Sequence, residues 1–184
     1  MTIARIVPIL ALSLAASAAT AQMGEMKMPA PQPTTGPASE VLRTYTTLKP
    51  NVIKAAEKMP EADFKYTPTP EIRTFARVVN HVTEAQFRSC GILNGTAPKD
   101  ISKPPADTAD KATVVAALKA SFAECDKAYG ALTDANVTEM LPLGANKRSR
   151  IGIAWSNVSH DNEQYAELST YLRLKNLVPP TGEK

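Results

Sequence analysis

Two histidines, two cysteines and a single tryptophan in 184 residues leave little from which to build a reactive centre, and each scarcity excludes something. No G-x-S-x-G, phosphate-binding glycine loop or dinucleotide glycine pattern occurs, which removes the best-marked hydrolase, nucleotide and dinucleotide chemistries. Neither cysteine has a neighbouring base to make it a nucleophile, and no C-x-x-C spacing marks a metal site. Charge of one sign is also scarce. The net charge is +3, and its only local excess is Lys147, Arg148 and Arg150, which reads as a solvated loop and gives no reason to expect a nucleic-acid partner.

Long apolar runs are equally rare. One follows Arg5, from Ile6 to about Ala16, and ends in the small residues Ala19, Thr20 and Ala21. That order is the pattern of a secretory signal peptide, residues 1–21, and the run is shorter than the ~20 residues a membrane span requires. The expected product is periplasmic or extracellular, with no membrane span in the mature chain. Cleavage leaves roughly 160 residues, enough for one domain that buries about two-thirds of its unfolded surface. Residues 22–38 form a flexible leader, with Met23, Met26 and Met28 followed by four prolines. Its three thioethers are soft ligands of the kind that hold Cu(I), and an ordinary linker is the alternative.

From Ser39 the apolar residues adopt helical spacing. The first helix carries Val41, Tyr45, Leu48, Val52, Ala56 and Met59 on one stripe, with Pro50 on the opposite side. Residues 60–73, with Pro60, Pro68 and Pro70, read as an extended connector that packs Phe64 and Tyr66. Thr74 caps a second helix with the stripe Phe75, Val78, Val79, Val82, Gln86, Cys90 and Leu93, closing at Gly95. A third begins near Asp110, with Val114, Leu118, Phe122, Cys125, Tyr129 and Leu132 inward.

Residues 133–148 read as a long connector with a short turn of helix around Asn136 to Met140. Ser149 then caps a last helix running to about Lys175, with Asn176 in the left-handed position and Pro179 and Pro180 beyond. Two faces of that helix are expected to be buried. One holds Ile151, Trp155, Val158, Tyr165 and Leu172, the other Ile153, Asn157, His160, Gln164 and Tyr171. Four amphipathic helices without a strand signal predict an all-α, antiparallel four-helix bundle over residues 39–180.

In an oxidising compartment the cysteines favour a Cys90–Cys125 disulfide, with two buried thiols as the alternative. His81 and His160 both fall in mid-helix, where bundles place metal ligands, and Gln164 follows His160 by one turn on the same face. Glu84, Glu163 and Asn157 are candidates to support them, the glutamates as extra ligands or acceptors for ring N–H groups. Asp161 sits near the apolar stripe, where a carboxylate needs a partner. The alternative is two partly buried imidazoles satisfied by neighbouring side chains.

Three segments, AAEKMPEADFKYTPTPEIRTFARVVNHVTEAQF (55–87), ALKASFAECDKAY (117–129) and SHDNEQYAELSTYLRLKNLVPP (159–180), resemble the DinB/YfiT-like superfamily of four-helix proteins. The resemblance implies an antiparallel bundle with a metal pocket of three histidines. His81 matches the histidine of the family's second helix, and His160 the first of an H-x-x-x-H pair on the last. The second of that pair falls on Gln164, and two imidazoles with one amide bind Zn²⁺ or Ni²⁺ more weakly than three imidazoles. Asn176 stands where the family commonly has glycine.

Two functional expectations follow. One is a degenerate, non-catalytic bundle that binds a small molecule or protein in a pocket lined by His81, Asn157, His160 and Gln164. The other is a metal-dependent hydrolase or transferase, the activities the resemblance implies, with Zn or Ni held at His81 and His160. A homodimer through exposed apolar helix faces is compatible with both.

Overall fold

The computed structural model describes residues 35–183; the expected signal peptide and leader residues 22–34, with the three methionines, lie outside the described residues. Four helices make up most of what is described: α1 Pro37–Lys58, α2 Phe75–Leu93, α3 Lys111–Gly130 and α4 Arg150–Leu174. They pack as the expected bundle, with α2 against α3 and α4, and α1 against α4 and α3. None of them is long and apolar enough to cross a membrane.

Local chemistry explains where each helix starts. The side chains of Thr74, Asp110 and Ser149 accept hydrogen bonds from the backbone N–H of Arg77, Thr113 and Gly152, satisfying donors that the first turn leaves free. α1 starts two residues before Ser39 because it is capped from across the bundle: Asp134 Oδ1 accepts from the Ala38 N–H at 2.9 Å. Gly36 makes room for that carboxylate, since it has φ +104° and a Cβ there would overlap Asp134. Asn176, at φ 57°, takes the left-handed position after α4.

The expected stripes of α1, α2 and α3 are buried without exception. Tyr45 and Tyr129 stack at 4.1 Å between ring centroids, and both hydroxyls find backbone carbonyls, those of Phe122 and Ala154. Cys90 and Cys125 are bonded, joining α2 to α3 across Cα atoms 4.9 Å apart, within the reach such a bridge requires.

Three expectations are corrected. The connector before α4 is a β-hairpin, β1 Met140–Leu143 paired antiparallel with β2 Asn146–Ser149. Its two-residue loop, Gly144 and Ala145, has a positive φ at Gly144 only, the arrangement of a type II′ turn. Strands of four residues, with Pro142 inside one and none of the residues fully buried, carry too little alternation to be read from sequence. Trp155 is 54% exposed instead of buried, because α4 turns its inward face along Ile153, Ala154, Asn157, Val158, Asp161, Gln164 and Leu168. Arg150 also departs from the solvated loop expected of it: as the first residue of α4 it donates to Leu93 O at 2.8 Å and to Glu139 at 2.6 Å.

Candidate functional site

His81 and His160 project from the middles of α2 and α4 and meet with their Nε2 atoms 3.0 Å apart, the rings nearly perpendicular. At this distance one ring carries the proton and the other accepts it, so the pair holds only when the two are in complementary tautomers. Burial, followed by the nearness of His160, Arg73 and Arg77, depresses the pKa of His81 below the usual imidazole value.

Behind His160 lies a wholly buried polar chain. Asp161 Oδ2 accepts from Gln86 Nε2 at 2.9 Å and from Asn157 Nδ2 at 3.4 Å, and Gln86 Oε1 in turn accepts from Ser121 Oγ at 2.6 Å. Asn157 Nδ2 also lies 3.3 Å from the Tyr129 hydroxyl. The other carboxylate oxygen, Asp161 Oδ1, approaches His160 Nδ1 to 3.5 Å, too poorly aligned for either atom to count as hydrogen-bonded. A small rotation lets a single proton between these two atoms satisfy both. Burial raises the pKa of Asp161, opposed by the nearness of His160 and by the bond from Gln86.

The signs for stability follow from these two shifts. Asp161, with its folded value raised, contributes stability that is complete below the unfolded carboxyl value of about 3.9 and is lost as pH rises through the folded value. His81, with its folded value depressed, contributes stability that is complete above about pH 6.5 and is lost as pH falls through the folded value. Asp161→Asn keeps an acceptor for Gln86 and supplies a donor toward His160. Urea unfolding between pH 4 and 8 is therefore expected to show the native chain losing stability relative to Asp161→Asn as pH rises, while the acid-side loss from His81 is common to both. A decline of equal size in both proteins contradicts the assignment.

The remaining candidates are placed as follows. Gln164 is buried, but its Oε1 accepts from the Arg73 guanidinium at 3.3 Å, and Arg73 is itself held by Glu167 at 2.8 Å and, through its carbonyl, by the Tyr171 hydroxyl. Glu84 pairs with Arg77 on the exposed side of α2, and Glu163 is exposed on α4. Asn157 is buried beside Asp161. Among the described residues no three His, Cys, Asp or Glu side chains are grouped so as to hold a metal ion.

Two nitrogens each about 2.0–2.1 Å from a tetrahedral zinc lie about 3.3 Å apart, so the imidazole pair alone is close to ligand spacing. The third donor is not. An amide already bonded to a fixed guanidinium brings a positive charge to the place where a cation would need an oxygen or nitrogen. The donor set therefore does not fit a three-ligand zinc or nickel centre.

Against His160 lies a cavity of about 200 Å³, walled by Ala85, Arg88 and Ser89 of α2, by Leu143 and Arg148 of the hairpin, and by Ile153, Ser156, Asn157 and His160 of α4. Two of the four residues expected to line a pocket, Asn157 and His160, do so; His81 and Gln164 do not. Sequence reasoning missed Arg73, Gln86, Ser121, Arg88 and Arg148. Gln86 had a usable signal, a polar residue in the middle of an apolar stripe, whereas the arginines look like any surface charge.

A family model described as the DinB superfamily matches residues 44–168. A DinB-like protein of Bacillus subtilis superposes with a TM-score of 0.62 at 12% sequence identity, over 74% of this chain and 92% of that one. One of Bacillus cereus does so with a TM-score of 0.62 at 14% identity, over 76% and 93%. At these identities the likeness to the two structures establishes the fold alone. A search of curated proteins finds no match.

Proposed function

We propose, for a chain that belongs to the DinB superfamily, the role of an exported, non-catalytic binding protein whose small ligand enters the cleft between α2 and α4. The observation that carries this reading is the Arg73 guanidinium on Gln164 Oε1, which occupies the third donor of the imidazole site and leaves the pair without a full ligand set. The neighbouring cavity supplies a place for a ligand that needs no metal. Export is supported by the signal-like N-terminus and by the buried Cys90–Cys125 bridge, which persists in oxidising compartments.

The close approach of the two Nε2 atoms favours a second reading, the metal-dependent hydrolase or transferase. It requires Gln164 to leave Arg73, or another donor to enter, and no step of a reaction is derived through it.

One preparation separates the two. The mature protein, exposed to Zn²⁺ and Ni²⁺ and then desalted, is expected to hold far less than one metal per chain by elemental mass spectrometry. In native mass spectrometry with a mixture of small metabolites it is expected to show an adduct that Ser156→Phe, which fills the cavity, removes. Retention of one metal per chain that His160→Ala abolishes would falsify the non-catalytic reading and favour the second.

A further inference from the structure

The cavity beside His160 has a marked charge character. Among the described residues no Asp or Glu lines it, while two arginines do, Arg88 and Arg148. Among the described residues neither has an acidic partner, as Arg173 in the last turn of α4 also has none, whereas Arg43, Arg73, Arg77 and Arg150 are each paired with one. One belongs to α2 and the other to β2, so an anion in the cavity has an arginine from each of two separate elements in its lining. Arg148 lies across the first turn of α4, where a Cβ on Gly152 would stand 3.1 Å from its Nε; the glycine gives the guanidinium its path over the helix.

A second, independent observation concerns the opposite chemistry. Asn157, only 2% exposed, belongs to the cavity wall and is fixed by bonds from its Nδ2, yet its buried Oδ1 accepts no hydrogen bond. A buried acceptor left open is costly, and because this oxygen is closed to solvent, a ligand donor reaches and satisfies it once the Asn157 side chain tips toward the cavity. Ser89 and Ser156, also on the wall, can serve either sign. About 200 Å³ accommodates a compact molecule, and because the cavity opens to solvent, part of such a molecule can remain exposed.

Building on the binding role given above, we propose that the ligand is a small hydroxy acid, its carboxylate between Arg88 and Arg148 and its hydroxyl donating to Asn157 Oδ1. The planar fork of arginine suits a carboxylate, and two of them outside a paired network provide affinity that weakens with salt. The hydroxyl discriminates: an acid without it leaves the Asn157 oxygen open.

Three probes of nearly equal size test this by isothermal titration on the mature protein: lactate, propionate, which lacks the hydroxyl, and lactamide, which lacks the charge. Lactate is expected to bind, with propionate and lactamide each at least about tenfold weaker, the factor that 1.4 kcal/mol represents. Arg88→Ala and Arg148→Ala, at exposed positions where folding is unaffected, should each weaken lactate by a similar factor. Arg88→Lys, which keeps the charge and loses the fork, should recover it only in part.

Lactamide binding as tightly as lactate, with Ser156→Phe abolishing both, overturns the anion assignment and leaves the cleft reading intact. No binding of any probe, or lactate binding indifferent to both arginine substitutions, overturns the proposal itself. If in addition no metabolite adduct depends on Ser156, the cleft reading fails as well.

Discussion

Cys90→Ala combined with Cys125→Ala is expected to lower the unfolding free energy by about 4 kcal/mol and Tm by roughly 8–16 °C for a chain of this size. The figure comes from the unfolded state: the bridge spans 35 residues, and releasing it restores the conformational freedom of a loop of that length. Alanine is the appropriate replacement because both sulfurs lie in a core with no exposure, where a serine hydroxyl would add its own penalty. Far-UV circular dichroism melts of the oxidised native chain and the double variant measure the difference. A loss under about 1 kcal/mol would mean that α2 and α3 remain associated in the unfolded ensemble, so that the bridge has little left to constrain. Burial also predicts the kinetics. Reductant alone should act slowly on the folded protein and quickly once denaturant opens the bundle, because thiolate attack needs access to sulfur.

Gln164→His is expected to turn a weak pair of imidazoles into a metal site. His81 and His160 already stand at near-ligand separation, and behind His160 lies the buried chain from Asp161 through Gln86 to Ser121. What is missing is the third nitrogen, and position 164 is one turn from His160 on the same side of α4, where side chains at i and i+4 meet. The gain in Zn²⁺ or Ni²⁺ affinity should exceed the ~10–100-fold that supporting partners alone carry, and chelator competition measures it. Arg73 opposes it. Its guanidinium loses the Gln164 oxygen but keeps Glu167, so adding Arg73→Met to Gln164→His should raise affinity further, while adding His81→Ala should return it to the native level. If Gln164→His binds no more metal than the native chain, the imidazole pair is fixed by its tautomeric contact in a geometry that no ion can use.

The bundle was legible in the sequence because its information is local and repeated. Val114, Leu118, Phe122 and Cys125 recur at helical spacing, Thr74, Asp110 and Ser149 are efficient caps, and Asn176 ends α4 at an angle few residues tolerate. Those signals do not require knowing what each helix packs against. The hairpin had no such redundancy. Trp155 shows the limit from another side: its spacing from Ile151 and Val158 suits an inward stripe, but which of two overlapping stripes on α4 faces the core depends on the bundle's rotation about that helix.

The site divides the same way. Two histidines at the centres of two helices can be brought together by simple antiparallel packing, and they are. That Gln164 would bond to Arg73 could not be read, because Arg73 comes from a connector of no regular period, and its carbonyl is fixed by Tyr171, 98 positions away. Asp161 lies between these cases. Its need for a partner follows from its place near an apolar stripe, but the identity of that partner, Gln86 across 75 positions, is a property of the fold.

The hairpin gives this cleft one wall that does not belong to the bundle. The helices α2 and α4 fix the other contacts through a shared core, and a covalent bridge ties α2 to α3, so a change in either helix is transmitted to its neighbours. The wall that bears Leu143 and Arg148 ends instead in the exposed tip Gly144–Ala145, where extra residues cost only the slowly growing entropy of a longer loop. Evolution can therefore resize the mouth of the cleft, or exchange the group at its rim, by editing a short ribbon while the buried polar chain stays intact. Among relatives of this architecture, ligand preference is expected to diverge first at the hairpin, and to do so without a corresponding change in stability.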